Sequence, residues 1–102
     1  MYIYKMKESE LIKISNPSIV KKKFNTYKGS DNATLEISEK PDKKYKVLHN
    51  GKTIHFGSTL EDYTYHKNDT RRQAYLKRSA GIKGNWKSDK YSPNMLSRSL
   101  LW

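Results

Sequence analysis

The sequence predicts a small α+β domain in which an antiparallel sheet packs against short helices. The dipeptide Asn50-Gly51 lies between two short segments of alternating apolar and polar residues, a pattern typical of a β-hairpin with a tight turn. The pair Asn16-Pro17 places a capping residue before a proline, as is typical of a helix N-terminus. A chain of 102 residues has room for one modest core, so we expect residues 1–102 to form a single domain.

The predicted sheet consists of a hairpin over residues 45–56 and a further strand over residues 33–38. A two-residue turn pairs Val47 with Ile54, because the length of the turn fixes the register of the two strands. The face that holds this pair is the predicted core side, and four other apolar side chains share it: Leu35, Ile37, Tyr45 and Phe56. A helix over residues 17–28 is expected to cover this face.

Four helical segments are predicted from capping residues and from the spacing of apolar residues. They cover residues 17–28, a short turn within residues 58–65, residues 70–80 and residues 93–102. The expected N-terminal capping residues are, in the same order, Asn16, Ser58, Thr70 and Ser92. Residues 1–15 are expected to form an N-terminal arm or an edge strand, and the apolar end of helix 93–102 is expected to dock on the rest of the domain.

The chain is strongly basic, with 21 lysines and arginines, 10 acidic residues and a net charge of +11. This excess favours an anionic partner such as nucleic acid, lipid or an acidic protein surface, and the alternative is a basic surface that only maintains solubility. The lack of cysteine excludes disulfides, cysteine-bound zinc and a thiol nucleophile. No stretch approaches the roughly 18 apolar residues of a membrane span, and no signal-peptide pattern is present. We therefore expect neither a membrane span nor secretion.

Residue types that carry catalysis do not form a recognisable site in the sequence. The predicted register places His49 and His55 on opposite faces of the hairpin, and His66 lies in another element, so a shared metal ion is not expected. Glu61 and Asp62 are adjacent, and adjacent side chains on a helix point apart. We therefore expect no catalytic residue, no metal, no cofactor and no small-molecule substrate.

The most basic part of the chain lies between Arg71 and Lys90, where seven lysines and arginines accompany one acidic residue, Asp89. Cations beside aromatic rings that stack on bases are typical of nucleic-acid surfaces, and the same residue types dominate contacts with acidic proteins. The loop after helix 70–80 is expected to return its lysines to the arginine-bearing side of that helix. The candidate partner-binding residues are Arg71, Arg72, Lys77, Arg78, Lys83, Lys87, Tyr75, Trp86 and Tyr91, and on the first long helix Lys21, Lys22 and Lys23.

Four sequence runs in the second half of the chain read YKVLHNGKTIHFG, EDYTYHKNDTRR, YLKRSAGIKGNW and SPNMLSRSLLW. Their order and content resemble an uncharacterised family of small basic proteins encoded by nucleocytoplasmic large DNA viruses, the giant viruses. The resemblance covers residues 44–102, with a weaker one over residues 16–38. The chain departs from the family pattern at residues 58–60, where relatives often have a Gly-Tyr pair, and at residues 66–69, where they have His-Lys-Asp. The resemblance implies a small virion or replication-associated protein, and it carries no established activity.

Two functions are expected from these observations. The first is a non-enzymatic structural protein of the virion, a minor capsid or cementing component that binds acidic partners such as other capsid proteins. The alternative is a viral nucleic-acid-binding protein without sequence specificity, which packages DNA or binds RNA. Both place the protein in the virion or in the cytoplasm or nucleus of the host cell.

Overall fold

The computed structural model describes residues 8–102 and confirms a small α+β fold. The strands are β1 (Ala33–Ile37), β2 (Tyr45–His49) and β3 (Lys52–Phe56). The α-helices of this range are α1 (Glu8–Leu11), α2 (Pro17–Lys28), α3 (Tyr63–His66), α4 (Asp69–Ala80) and α5 (Pro93–Leu96). A 3₁₀ turn covers Trp86–Ser88, and a π-helical turn covers Ser97–Leu101. None of the helices in this range is long and apolar enough to cross a membrane.

The strands form one antiparallel sheet in the order β1-β2-β3. The predicted hairpin register is confirmed, since Val47 is paired with Ile54. Asn50 (φ 52°) and Gly51 (φ 74°) adopt the left-handed conformation that a tight hairpin turn requires. β1 ends at Ile37, one residue before the predicted end. Tyr45, Val47 and Phe56 are buried on the core side, whereas Leu35, Ile37 and Ile54 are only partly buried against the same core.

Two elements cover the core side of the sheet. α2 contributes Val20 and Phe24, as predicted, and the C-terminal segment contributes three further buried residues, Leu96, Leu100 and Leu101. The predicted docking of the C-terminus is therefore confirmed. Leu11 of α1 enters the same core, so the described part of the predicted arm packs against the domain. Residues 1–7 of that arm lie outside the described part of the chain.

The predicted capping residues are correct for two helices and wrong for two. Asn16 and Ser92 cap α2 and α5 as expected. α4 begins at Asp69 rather than Thr70, because the Asn68 side chain accepts a hydrogen bond from the Arg71 amide (3.1 Å). Ser58 does not cap a helix either, and its hydroxyl accepts a hydrogen bond from the Leu60 amide instead.

The short helix α3 begins later than the predicted turn, which was expected to start at Ser58. Asp62 is the N-cap of α3, and its carboxylate accepts a hydrogen bond from the Thr64 amide (3.0 Å). The predicted single helix over residues 93–102 is also divided. After α5 the chain widens into a π-helical turn, in which the Trp102 amide donates to the Ser97 carbonyl five residues earlier (3.2 Å).

Candidate binding groove beside helix α4

Helix α4 forms one wall of a groove with a volume of about 240 Å³. Arg71 and Arg78 line this wall two helical turns apart, which corresponds to a rise of about 10 Å along the axis. Ala74 and Tyr75 lie between them on the same face, because residues three and four apart are neighbours on a helix. The remaining lining residues come from the segment before α3 and from the C-terminus: Ser58, Leu60, Glu61 and Trp102. The predicted placement of the two arginines on one side is confirmed.

An aromatic pair lies at the base of the groove. The rings of Tyr75 and Trp102 are stacked, with centroids 4.3 Å apart and planes 12° from parallel. Burial raises the pKa of Tyr75 and so favours the neutral form of its phenol further. Arg72 holds this arrangement in place: its Nε donates to the Trp102 carbonyl (2.6 Å), and its guanidinium lies 5.4 Å from the centre of the Tyr63 ring. Arg72 is therefore a structural residue here rather than a free cation.

The two arginines of the groove differ in their partners. Arg71 Nη1 lies 3.2 Å from Glu61 Oε1, and nearly half of each side chain is exposed to solvent. Arg78 forms no ion pair with any carboxylate within residues 8–102. Leu60 lies beside them with 71% of its surface exposed, and its aliphatic side chain adds apolar surface to the groove. The groove thus combines one unpaired arginine, one weakly paired arginine and exposed apolar surface.

The other predicted cations do not line this groove. Lys77 is exposed on α4 but faces away from the groove lining. Lys83 lines a separate hollow with Trp86, formed by the loop after α4. Lys87 packs over the Trp86 ring, with its Nζ 5.5 Å from the ring centre. The expectation that the loop returns its lysines to the arginine-bearing side of α4 is therefore wrong, because the loop folds around Trp86.

Two of the three predicted stacking aromatics are buried. Trp86 is 8% exposed, and its indole Nε1 donates to the Ile82 carbonyl (2.7 Å). Tyr91 is 7% exposed, and its hydroxyl donates to Asp31 Oδ2 (2.7 Å). Both rings are already packed within the domain, which leaves little of their surface for stacking on bases. The Trp86 hydrogen bond closes the loop over residues 82–91 on itself, and the Tyr91 hydrogen bond anchors that loop to Asp31.

The lysines of α2 form a different surface. Lys21 and Lys22 are exposed, whereas Lys23 is partly buried. Burial, together with the nearby Arg72 charge, lowers the pKa of Lys23. Lys22 and Lys23 line a shallow hollow with Tyr27, apart from the α4 groove. These lysines therefore do not join the arginines in one site.

The structure also contains a buried ion pair that the sequence does not predict. Lys44 is 1% exposed and Asp62 is 0% exposed, and Lys44 Nζ lies 3.4 Å from Asp62 Oδ2. Lys44 Nζ also donates to the Leu60 carbonyl, and the Thr64 hydroxyl donates to Asp62 Oδ1. Burial lowers the pKa of Lys44, and the Asp62 charge opposes this shift. The pair fixes the segment that carries Leu60, which is one wall of the groove.

Further hydroxyl groups extend this buried network towards the sheet. The Thr64 hydroxyl accepts a hydrogen bond from the Asn16 amide (3.0 Å) and lies 3.3 Å from Ser15 Oγ. Ser15 Oγ in turn lies 2.7 Å from the Tyr45 hydroxyl. Asp62 Oδ2 has no hydrogen-bond partner in the described part of the chain apart from its contact with Lys44. The wall of the groove is thus tied to β2 and to the start of α2.

The three histidines lie in different surroundings. His49 packs against Tyr91 with ring centroids 4.3 Å apart and planes tilted by 35°, and His55 Nδ1 lies 2.7 Å from the Ser38 hydroxyl. His66 Nδ1 accepts a hydrogen bond from the Asn68 amide (2.9 Å). Among the residues that the structure describes, no group of three histidine or acidic side chains is placed to hold a metal ion.

Comparison with known proteins gives one similarity. A model described as "Family of unknown function (DUF5754)" matches residues 33–79, a range that contains the whole sheet, α3 and most of α4. No curated protein matches the chain, and no solved structure matches it either. Over these residues, which hold both arginines of the groove, the chain is similar to a family whose function is unknown.

Proposed function

We propose that this chain is a non-enzymatic structural protein that binds an acidic protein partner through the α4 groove. The observation that carries the proposal is the combination of Arg71 and Arg78 with exposed apolar surface at Leu60 in one preformed groove. Arginine and aromatic residues around an apolar centre are the composition that concentrates binding energy at protein interfaces. The resemblance to small basic proteins of large DNA viruses supports a setting in the virion, as a minor capsid or cementing component.

The distribution of charge supports an anionic partner. Several of the acidic residues are already engaged within the domain, in ion pairs that involve Asp31, Glu36, Glu39, Glu61 and Asp62. Most of the lysines and arginines within residues 8–102 therefore lack an acidic partner in an ion pair, and many of them are exposed to solvent. A surface of this kind attracts anionic partners and accelerates their association.

Reversal of the two arginine charges of the groove tests this proposal. The variant Arg71→Glu with Arg78→Glu is compared with the variant Lys21→Glu with Lys22→Glu, which changes the net charge equally on α2. Binding to poly-L-glutamate is measured by isothermal titration calorimetry. We expect the groove variant to lose about tenfold in affinity and the α2 variant to lose about threefold or less, because only the first removes the localised contacts. Equal losses would refute a specific role of the groove.

A second candidate is a nucleic-acid-binding protein without sequence specificity, which packages viral DNA or binds RNA. The exposed cations on three separate elements favour it, since phosphate contacts need no single pocket: Lys21, Lys22, Lys77, Lys83 and Lys87. Under this alternative, duplex DNA binds more tightly than poly-L-glutamate. Each lysine removed then lowers the slope of log K against log salt by about one unit.

Mass spectrometry of purified virus particles tests the proposed setting. A structural protein of the virion is expected in particles freed of loosely bound host protein by a high-salt wash. Its absence from washed particles, together with its presence in infected-cell cytoplasm or nucleus, would contradict the virion proposal.

A further inference from the structure

The dimensions of the α4 groove indicate what part of a partner enters it. Its volume of about 240 Å³ lies below the roughly 300–1,000 Å³ of sites that enclose drug-sized ligands. The apolar surface of Ala74, Leu60 and the stacked pair Tyr75–Trp102 lies between the two arginines. Such a groove has room for one large side chain and not for a helix or a strand of a partner.

The charges at the rim restrict the partner further. Arg78 has no carboxylate partner within residues 8–102, so it is available to an anionic group. Arg71 already holds the Glu61 carboxylate at 3.2 Å, in an exposed pair that contributes little stability. The Glu61 carboxylate therefore occupies the position that a carboxylate of a partner would take, and it can be exchanged for one at little cost.

We propose that the groove binds a short acidic segment of a partner protein, which inserts one large apolar side chain and places carboxylates on both arginines. The apolar side chain lies over Tyr75 and Trp102 beside Leu60, and the carboxylates contact Arg78 and, in place of Glu61, Arg71. This inference rests on the proposed function and specifies its partner. Nucleic acid fits less well, because the aliphatic Leu60 offers no face for base stacking.

The groove is preformed on both sides, which lowers the cost of binding. On one side, the buried Lys44 ammonium binds the Leu60 carbonyl and so fixes the backbone of that residue. On the other side, Arg72 holds the carbonyl of Trp102 at 2.6 Å and keeps its ring against Tyr75. The groove therefore needs no ordering when a partner segment binds, and the entropy cost of binding falls on the partner segment alone.

A labelled peptide tests the inference directly. The probe is a fluorescein-labelled peptide of sequence Glu-Asp-Leu-Asp-Glu, and its control carries serine in place of leucine at the same charge. Fluorescence anisotropy measures binding to the wild-type chain and to three single variants. These are Arg78→Glu and Glu61→Gln in the groove, and Lys83→Glu as a matched charge reversal in the separate hollow.

We expect the leucine peptide to bind about tenfold more tightly than the serine peptide, since burial of one large apolar side chain supplies the difference. Arg78→Glu should lower affinity about tenfold, and Lys83→Glu should change it less than about threefold. Glu61→Gln should raise affinity, because it frees Arg71, and a gain of this kind cannot arise from misfolding.

Three results would overturn the inference. Equal affinity of the leucine and serine peptides would show that no side chain enters the groove, although the loss of poly-L-glutamate binding in the arginine variant would still support the proposed function. A decrease in affinity for Glu61→Gln would exclude the exchange of carboxylates at Arg71. Tighter binding of an oligothymidylate of equal charge than of the leucine peptide would assign the surface to nucleic acid instead.

Discussion

Removal of the buried carboxylate Asp62 is the perturbation with the largest expected effect on stability. In Asp62→Ala the Lys44 ammonium stays in a site that is 1% exposed and loses its counter-charge at 3.4 Å. Removal of one partner from a buried ion pair costs about 3–5 kcal/mol, because the remaining charge is uncompensated. The total stability of a domain of this size is about 5–15 kcal/mol, so the variant should lose a large part of it.

Urea unfolding followed by circular dichroism measures this loss as a lower midpoint. The matched control is Glu39→Ala, which breaks the pair between Glu39 and Lys46 at the surface (2.9 Å) and should change the midpoint little. The double variant Lys44→Met with Asp62→Leu should recover part of the stability, because no charge is then left uncompensated, while the N-cap hydrogen bond from the Thr64 amide to Asp62 is still lost. A midpoint for Asp62→Ala equal to that of Glu39→Ala would refute the burial of the pair.

Three further predictions concern the core. Val47→Ala should lower the free energy of unfolding by about 1–3 kcal/mol in urea titrations, because Val47 is fully buried. Gly57→Ala should destabilise more than Gly51→Ala does in thermal melts. Both glycines have positive φ, but only at Gly57 would a Cβ meet another side chain, Leu101 Cδ1, at 2.9 Å. Burial raises the pKa of Tyr45, so the folded chain keeps a proton that the unfolded chain loses above about pH 10, and stability should fall as the pH rises above that value.

Each of these predictions has an outcome that would contradict it. An unchanged urea midpoint for Val47→Ala would contradict the assignment of the core side, and equal melting of the two glycine variants would exclude a close contact at Gly57. In the alkaline test, Lys44 acts with the opposite sign, since its lowered pKa adds stability as the pH rises towards its ordinary value. The comparison therefore uses Tyr45→Phe, which should make the alkaline fall shallower, and an equal fall in both proteins would contradict the role of Tyr45.

The hairpin could be predicted from the sequence because its determinants are local. Asn50 and Gly51 select the turn, and the turn length alone fixes the pairing of Val47 with Ile54. The start of α4 is also local, but three consecutive residues with capping side chains lie at this point, at positions 68–70. Which of them caps the helix depends on how the chain leaves α3, and the left-handed Lys67 directs the cap to Asn68.

The candidate site could be predicted only in part, because its composition depends on contacts between distant residues. Helical spacing places Arg71 and Arg78 together, and this is visible in the sequence. The burial of Tyr91 is not visible in the sequence, since it depends on a hydrogen bond to Asp31, which lies 60 residues away along the chain. Likewise, nothing local distinguishes Lys44 from the many surface lysines, and its burial depends on the approach of Asp62.

We propose that the α4 groove is the surface through which this protein binds an acidic partner. Chemical-shift mapping by NMR on the isotope-labelled chain, titrated with the Glu-Asp-Leu-Asp-Glu peptide, tests this proposal directly. We expect the largest backbone shifts at residues 58–61, at residues 71–78 and at Trp102, with small changes at Lys21 and Lys22. Largest shifts along α2 or in the loop over residues 82–91 would contradict it.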